Sequence, residues 1–249
     1  MLTPGEVRVW WAAPHAFTGE AIAARAVSLP EDERRRVAGF VHERDREQAL
    51  LARLMVRQVL AITAGDVKPE DWRFVRTPFG RPVIANPGFD WLTFSLSHTQ
   101  TLVVCAVAAR ADLGVDVEPT SRPAPLEVAN RYFSEREVAH ILAAPDGQRA
   151  RRFFEYWTLK EAFMKAVELG FSLPLDQFSF DLGPAGIVIQ LADELAKSVG
   201  PASRWQFRLE SPPEGGHVLA VASTVGAPLQ VTLHAAEPLL TGAGAARPR

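Results

Sequence analysis

The sequence predicts an α+β fold of two pseudo-symmetric halves, each a small antiparallel sheet packed on one long helix. Two observations lead to this class. A long amphipathic helix followed by short strands is predicted twice, with the helices over about 43–62 and 149–168. The apolar strand at 104–108 (VCAVA) resembles that at 218–222 (VLAVA), and the spacing of the two strands is close to that of the two helices. We therefore predict an N-terminal half over 1–111, a C-terminal half over 112–240 and a disordered tail over 241–249.

The first half begins with a predicted strand at 6–13. Pro30 followed by three acidic residues indicates a helix start, because proline and carboxylates both suit the first turn. The long helix over 43–62 presents an apolar side that includes Leu50 and Leu54. Four strands follow, at 72–76, 82–84, 92–96 and 102–108, with turns at 77–80 and 86–88.

The second half repeats this order of elements. A strand at 114–118 precedes a helix at 134–143 and the long helix at 149–168. Four further strands are predicted at 178–182, 187–191, 205–210 and 218–223. Asp116 then lies near the seam between the halves, where ligand clefts often form.

Composition limits the function classes. Of the 249 residues, 47% are hydrophobic and 22% charged, which is typical of a soluble globular protein. A formal net charge of −2 argues against general nucleic-acid binding. No apolar run approaches the roughly 20 residues of a membrane span, and the N-terminus shows no secretion signal. Cys105, the single cysteine, falls in an apolar strand and is predicted to be an inert buried thiol, so we expect a cytoplasmic protein.

Three carboxylates fall where the surrounding pattern predicts partly buried faces. Asp116 and Glu118 alternate with valines in GVDVE, so both point to one face of a strand. Glu161 lies four residues after Trp157, on the apolar stripe of the second long helix. Such carboxylates repel one another and are costly to desolvate unless a cation joins them. A hard divalent metal, Mg²⁺ or alternatively Mn²⁺, is the economical interpretation and makes the chain a candidate enzyme.

Basic residues occur where an anionic substrate of such a metal would need them. Lys165 lies four residues after Glu161 and so shares its helix face, although an ordinary surface ion pair has the same spacing. His98 ends a strand, and a histidine at such a position more often caps the strand than contacts a ligand. Residues 34–36 are also basic, and a solvated helix face is the better interpretation of them. The chain has neither GxxxxGK[ST] nor GxSxG, so the attacking nucleophile can come from a second substrate.

Taken together, these segments resemble the 4′-phosphopantetheinyl transferases of the larger, surfactin-synthetase-activating (Sfp) type. The resemblance runs from about 30 to 182 and includes FVHERD (40–45), FGRP (79–82), FSLSH (94–98), GVDVE (114–118), RYFS (131–134), WTLKEAFMK (157–165) and GFSLPL (170–175). The occurrence of GVDVE and WTLKEAFMK in this order, with FSLSH upstream of both, is highly specific to this family.

The resemblance implies transfer of the phosphopantetheine arm of coenzyme A to a serine of an apo acyl carrier protein or peptidyl carrier domain, by an enzyme that is commonly monomeric. It implies that Asp116, Glu118 and Glu161 hold Mg²⁺ and that Lys165 contacts the coenzyme A pyrophosphate. Glu161 is also the implied general base, directly or through a water. The positions implied to surround the adenosine and its phosphates are Arg44, Arg76, Gly80, Arg81, Pro82, Ser97 and His98.

One departure from the family pattern concerns the turn before residue 82. Family members often carry lysine where this chain has Arg81, which keeps the charge but not the geometry. Two other function classes stay open: a different Mg²⁺-dependent phosphotransferase or pyrophosphate hydrolase, and a non-catalytic homologue that only binds coenzyme A or a carrier.

Overall fold

The computed structural model describes residues 2–17, 19–169, 173–184, 186–226 and 228–241. These residues form four layers in the order helix, sheet, sheet, helix, and the α+β class is confirmed. Residues 242–249 of the predicted tail and residues 170–172 of the family-like segment lie outside the described residues.

Strands predicted from the sequence are found with ends shifted by at most two residues. One strand, the last, was not predicted. The strands are β1 (Glu6–Ala12), β2 (Phe74–Arg76), β3 (Pro82–Ile84), β4 (Leu92–His98), β5 (Val103–Ala109), β6 (Leu113–Pro119), β7 (Phe178–Gly183), β8 (Gly186–Leu191), β9 (Gln206–Glu210), β10 (His217–Ser223) and β11 (Gln230–Ala235).

The two long helices, the helix predicted over 134–143 and the helix start predicted at Pro30 are confirmed, and further short helices accompany them. The helices are α1 (Gly19–Arg25), α2 (Glu31–Ala38), α3 (Glu43–Ala64), α4 (Ala129–Tyr132), α5 (Glu135–Ala143), α6 (Asp146–Ala166), α7 (Asp193–Val199) and α8 (Glu237–Thr241). Among the described residues, no helix combines the length and the apolarity needed to cross a bilayer.

The first sheet has the order β11-β1-β5-β4. Strands β1, β5 and β4 pair antiparallel, as predicted, whereas β11 pairs parallel with β1. This sheet is therefore mixed and not purely antiparallel, and a strand assigned to the C-terminal half extends the sheet of the N-terminal half. The division of the chain at 111/112 stays a prediction.

The second sheet has the order β6-β10-β9, with all neighbours antiparallel. Helix α6 covers one of its faces, and the core on this side joins Ala162 and Phe163 of the helix to Phe207 and Ala220 of the sheet. Helix α3 covers the first sheet in the same way, through Met55 packed with Cys105 and its neighbours.

The two sheets pack against each other with their remaining faces. Val7, Val104 and Ala106 of the first sheet meet Val115 and Leu219 of the second in one buried cluster. Because both faces of β5 and β10 are covered, these strands are apolar at consecutive positions instead of alternating. The VCAVA and VLAVA segments that suggested a repeat are the central strands of the two sheets.

Gly114 fixes how closely α6 approaches β6. A Cβ atom at this position would overlap the carbonyl oxygen of Ala162 and would lie 2.7 Å from the amide nitrogen of Ala166. The helix backbone therefore rests on the strand at the point where a side chain is missing. Asp116 and Glu118, at i+2 and i+4, consequently lie on the strand face that carries α6.

We expect Gly114→Ala to lower the free energy of unfolding by about 3 kcal/mol, because neither backbone can yield without disturbing the core. Urea denaturation followed by circular dichroism measures the change. Gly147→Ala, in the same helix and with open space around the added methyl, is the matched control. It should leave stability unchanged or raise it by up to about 1 kcal/mol. Equal effects of the two substitutions would contradict the close approach.

Candidate active site

The carboxylate of Asp116 is buried and its two oxygen atoms have different surroundings. Oδ1 accepts a hydrogen bond from the Ser97 hydroxyl at 2.8 Å and one from the Lys165 ammonium at 2.7 Å. Oδ2 is buried and has no hydrogen-bond partner among the described residues. A buried carboxylate oxygen without a donor is unfavourable, and it marks a position where a cation or a donor from a ligand would be stabilised.

Two further carboxylates lie close enough to Asp116 to feel its charge. Burial, followed by the Asp116 carboxylate, raises the pKa of Glu161 to about 7. The same two causes raise the pKa of Glu118, whose carboxylate also forms an ion pair with Arg122 at 2.9 Å. The three acids predicted from the sequence therefore crowd one region between β6 and α6.

The donor set fits a hard divalent cation, although it is not assembled as a finished cage. No group of three or more His, Cys, Asp or Glu side chains in the described parts of the chain is positioned to hold a metal ion. Two of the three acids have cationic partners instead: Lys165 pairs with one oxygen of Asp116, and Arg122 pairs with Glu118. Metal binding would use the free Oδ2 first and would require Glu118 to exchange its arginine partner.

A cavity of about 490 Å³ opens beside Asp116 and Lys165. It brings together most of the residues that the family resemblance implied for coenzyme A, although they come from distant parts of the chain. These residues are Gly80, Arg81, Pro82, Ser97, His98 and Lys165, and Asp116, which the resemblance implied as a metal ligand, lines the cavity with them. The turn after β2, the end of β4, the centre of β6 and the end of α6 therefore share one cleft.

Four predicted residues do not line this cavity. Glu118 and Glu161 lie beside it, within electrostatic reach of Asp116. Arg44 is exposed in the first turn of α3. Arg76 lines a second cavity of about 470 Å³, which shares Pro82 with the first, and its guanidinium donates to the Gly80 carbonyl at 2.5 Å.

His98 ends β4 at the cavity wall. Partial desolvation of the imidazole, followed by the positive charge of Lys165, lowers the pKa of His98. The ring is therefore biased toward its neutral form in the free protein. An anion bound beside His98 and Lys165 would reverse this bias, because it favours the protonated ring.

Two family profiles and several curated relatives match this chain. The family profile described as 4'-phosphopantetheinyl transferase superfamily matches residues 112–222, and that described as 4'-phosphopantetheinyl transferase, N-terminal, matches residues 13–110. The 4'-phosphopantetheinyl transferase Sfp of Bacillus subtilis is 31% identical over 85% of this chain and 90% of its own length. The 4'-phosphopantetheinyl transferase HetI of Nostoc sp. is 33% identical over 79% of each chain.

A mouse relative and one solved structure extend these comparisons. The L-aminoadipate-semialdehyde dehydrogenase-phosphopantetheinyl transferase of Mus musculus is 30% identical over 78% of this chain and 67% of its own length. The Thermotoga maritima holo-[acyl-carrier-protein] synthase is 20% identical, with a TM-score of 0.37, over 45% of this chain and 61% of that chain.

The fold and the site define a class of α+β protein with two packed sheets, a long helix on each, and a cleft that contains a buried aspartate and a lysine. The chain belongs to the 4′-phosphopantetheinyl transferase family, and the resemblance drawn from its motifs is confirmed.

Sequence reasoning gave no role to Lys160, which lies inside the WTLKEAFMK segment but points away from the cavity. Its ammonium is 3.2 Å from the carboxylate of Glu137, with both side chains at most 1% exposed. It also donates to the carbonyls of Leu175 and Phe178 at 3.1 and 2.8 Å. Glu137 accepts from the amides of Ser134 and Phe180 at 2.7 and 2.9 Å. The spacing of Ser134 and Glu137, which is that of a capping box, is the sequence signal that could have pointed to a structural role for Glu137.

We expect Lys160→Met to lower the free energy of unfolding by about 3–5 kcal/mol, because it leaves the Glu137 carboxylate buried without its cation. Thermal or urea unfolding measures the loss. Lys197→Met is the matched control, since it removes an ion pair to Glu194 whose side chains are 69% and 81% exposed. That control should change stability by less than about 1 kcal/mol. If both substitutions cost the same, the buried pair does not carry the stability assigned to it.

Proposed function

We propose that this chain transfers the 4′-phosphopantetheine group of coenzyme A to a serine of an apo acyl carrier protein or peptidyl carrier domain. The products are the holo carrier and adenosine 3′,5′-bisphosphate. One observation carries the proposal: a single cavity of about 490 Å³ is lined by the FGRP, FSLSH, GVDVE and WTLKEAFMK segments together. Membership of the family supports the same reaction.

The transfer is a phosphoryl substitution in which the carrier supplies the nucleophile. The serine oxygen forms a bond to the phosphorus that bears the pantetheine arm, and the bond from that phosphorus to the bridging oxygen breaks. The bridging oxygen and its electron pair leave with adenosine 3′,5′-bisphosphate, and the serine proton passes to a base. Catalysis of this kind depends on positioning and on stabilising charge at the phosphates.

The residues of this chain divide that work. Lys165, at the cavity wall, would place its positive charge on the pyrophosphate and would release Asp116 as it does so. Glu161 is the proposed base for the serine proton, and His98 and Ser97 would face the adenosine phosphates. Asp116, Glu118 and Glu161 would hold Mg²⁺ or Mn²⁺, which when bound offsets the negative charge of the pyrophosphate and of the leaving group.

We further propose a two-half organisation divided at 111/112, and a cytoplasmic monomer. The matched family segments, 13–110 and 112–222, support the division, and the burial of Cys105 in β5 is compatible with a reducing compartment. Analytical ultracentrifugation tests the monomer directly.

The reaction is tested by the intact mass of purified apo carrier proteins, one from each class of carrier pathway, after incubation with the enzyme, coenzyme A and Mg²⁺. We expect a gain of about 340 Da, the mass of the transferred arm. Release of adenosine 3′,5′-bisphosphate without any carrier would instead support a pyrophosphate hydrolase. Bound coenzyme A with no mass gain on any carrier would contradict the transferase.

Asp116→Asn should reduce transfer by at least about 100-fold. The asparagine side chain can still accept the hydrogen bond from Ser97, but it lacks the negative charge of the carboxylate and the oxygen atom Oδ2. It should also abolish calorimetric binding of Mg²⁺ while circular dichroism stays unchanged. Asp66→Asn, on an exposed loop, is the control for charge alone. A transfer rate near that of the wild type at saturating Mg²⁺ would refute the metal assignment.

A further inference from the structure

The guanidinium of Arg81 is already committed to the protein. Its side chain is 14% exposed and donates to three backbone carbonyls: Lys165 at 2.6 Å, Phe94 at 2.8 Å and Leu113 at 3.1 Å. A carboxylate oxygen of Glu168 lies 3.2 Å from the same side chain. The carbonyls belong to α6, β4 and β6, so one side chain joins three elements of the cavity floor.

This arrangement uses properties that arginine has and lysine lacks. A planar guanidinium carries five N–H donors in a fixed fork, whereas an ammonium is a compact point charge. The carbonyl of Lys165 lies in the last turn of α6, where carbonyls have no partner within the helix and attract positive charge. Glu168 balances the charge that remains, so the site needs no phosphate to neutralise Arg81.

The backbone of Arg81 closes the turn that overhangs the cavity. The amide of Thr77 donates to the Arg81 carbonyl at 2.9 Å, and the Arg81 amide donates to the Thr77 hydroxyl at 3.2 Å. Gly80, with φ of 85°, donates to the Thr77 carbonyl at 2.8 Å. Phe79 and Gly80 of this turn line the cavity, and the Phe79 ring is 55% exposed at its mouth. The Arg81 guanidinium thus ties this hairpin to α6 and β6 by hydrogen bonds to their carbonyls.

We propose that Arg81 is a positioning residue that anchors the turn of residues 77–80 to the cavity floor, and that it is not a ligand of the coenzyme A phosphates. The role in coenzyme A binding rests on the proposed function, whereas the anchoring does not. The inference replaces the ligand role that the family resemblance implied, and it gives a reason for arginine at a position where relatives often carry lysine.

The test compares Arg81→Lys and Arg81→Met by hydrogen exchange of the ligand-free protein and by calorimetric binding of coenzyme A. If Arg81 is an anchor, both variants should raise exchange of the 74–84 amides by at least about tenfold, since neither supplies the fork. Both should weaken coenzyme A binding by a similar factor, about tenfold or more. If Arg81 is a phosphate ligand, Arg81→Lys should keep normal exchange and most of the affinity, and only Arg81→Met should lose it. That result would overturn the proposal.

Arg73→Lys is the matched control, because it changes an exposed guanidinium on the same hairpin. Exchange should stay at the wild-type rate in this variant. If the Arg81 variants fail to fold, the guanidinium nitrogen resonances of Arg81 in the wild type decide the question. If the guanidinium protons exchange slowly and their resonances keep the same chemical shifts when coenzyme A is added, the anchor is supported. A large change of these chemical shifts on addition of coenzyme A contradicts it.

The two proposals fail in different ways. Increased exchange in Arg81→Lys together with no coenzyme A binding by the wild type would support the anchor and contradict the proposed function. Unchanged exchange together with normal coenzyme A binding by the wild type would contradict the anchor and leave the proposed function supported.

Discussion

The contact of α6 with β6 at Gly114 is the constraint on which the rest of the site depends. Because position 114 carries no side chain, the backbone of α6 packs directly against the backbone of β6. The i+2 alternation of β6 then turns Asp116 and Glu118 toward the helix, while Val115 and Val117 enter the core between the sheets. The same strand thus supplies the centre of the hydrophobic interface and two of the acids.

A second constraint is that β4 and β6 meet through side chains. Strand β4 is the edge of the first sheet and β6 the edge of the second, and they belong to different hydrogen-bonded ladders. The Ser95 hydroxyl accepts from the Val115 amide at 3.0 Å, and the Ser97 hydroxyl donates to Asp116 at 2.8 Å. Two small hydroxyls, spaced to share one strand face, therefore satisfy polar groups at the seam and orient the Asp116 carboxylate.

The sequence predicted the elements of this fold better than their arrangement. Helices α3 and α6 are long, β4 and β6 alternate polar and apolar residues, and β5 is an unbroken apolar run, so each has a local signal and its predicted position is confirmed. Strand β11 was missed although its sequence QVTLHA alternates polar and apolar residues, which is a local strand signal. What the sequence could not show is its partner, β1, which lies more than 200 residues earlier in the chain. Parallel pairing of such distant segments leaves no local signal.

The same limit applies to the candidate site. GVDVE and WTLKEAFMK made Asp116, Glu118, Glu161 and Lys165 candidate site residues because each motif is local. The family resemblance added further candidates, most of which line the cavity. What the sequence could not give is the partner of each charge. Tertiary packing decides whether the Arg81 guanidinium contacts a phosphate or three backbone carbonyls. The sequence around Arg81 is compatible with both roles and cannot distinguish them.

The charges around Asp116 suggest how the free protein keeps an acidic cleft stable. Lys165 and Arg122 neutralise Asp116 and Glu118, while Glu161 has its pKa raised to about 7, chiefly by burial. Each of these arrangements lowers the free-energy cost of burying a carboxylate. Oδ2 of Asp116 nevertheless has no hydrogen-bond donor among the described residues. The protein therefore carries an unsatisfied buried acceptor beside a lysine that, under the proposed function, would gain an anionic partner in the substrate. Under the proposed function, Oδ2 of Asp116 would help to hold the metal and Lys165 would contact the pyrophosphate, so both groups would gain a partner when the two ligands are bound together. On this argument the two ligands should bind with positive coupling, because each relieves an electrostatic cost that the other would otherwise meet alone.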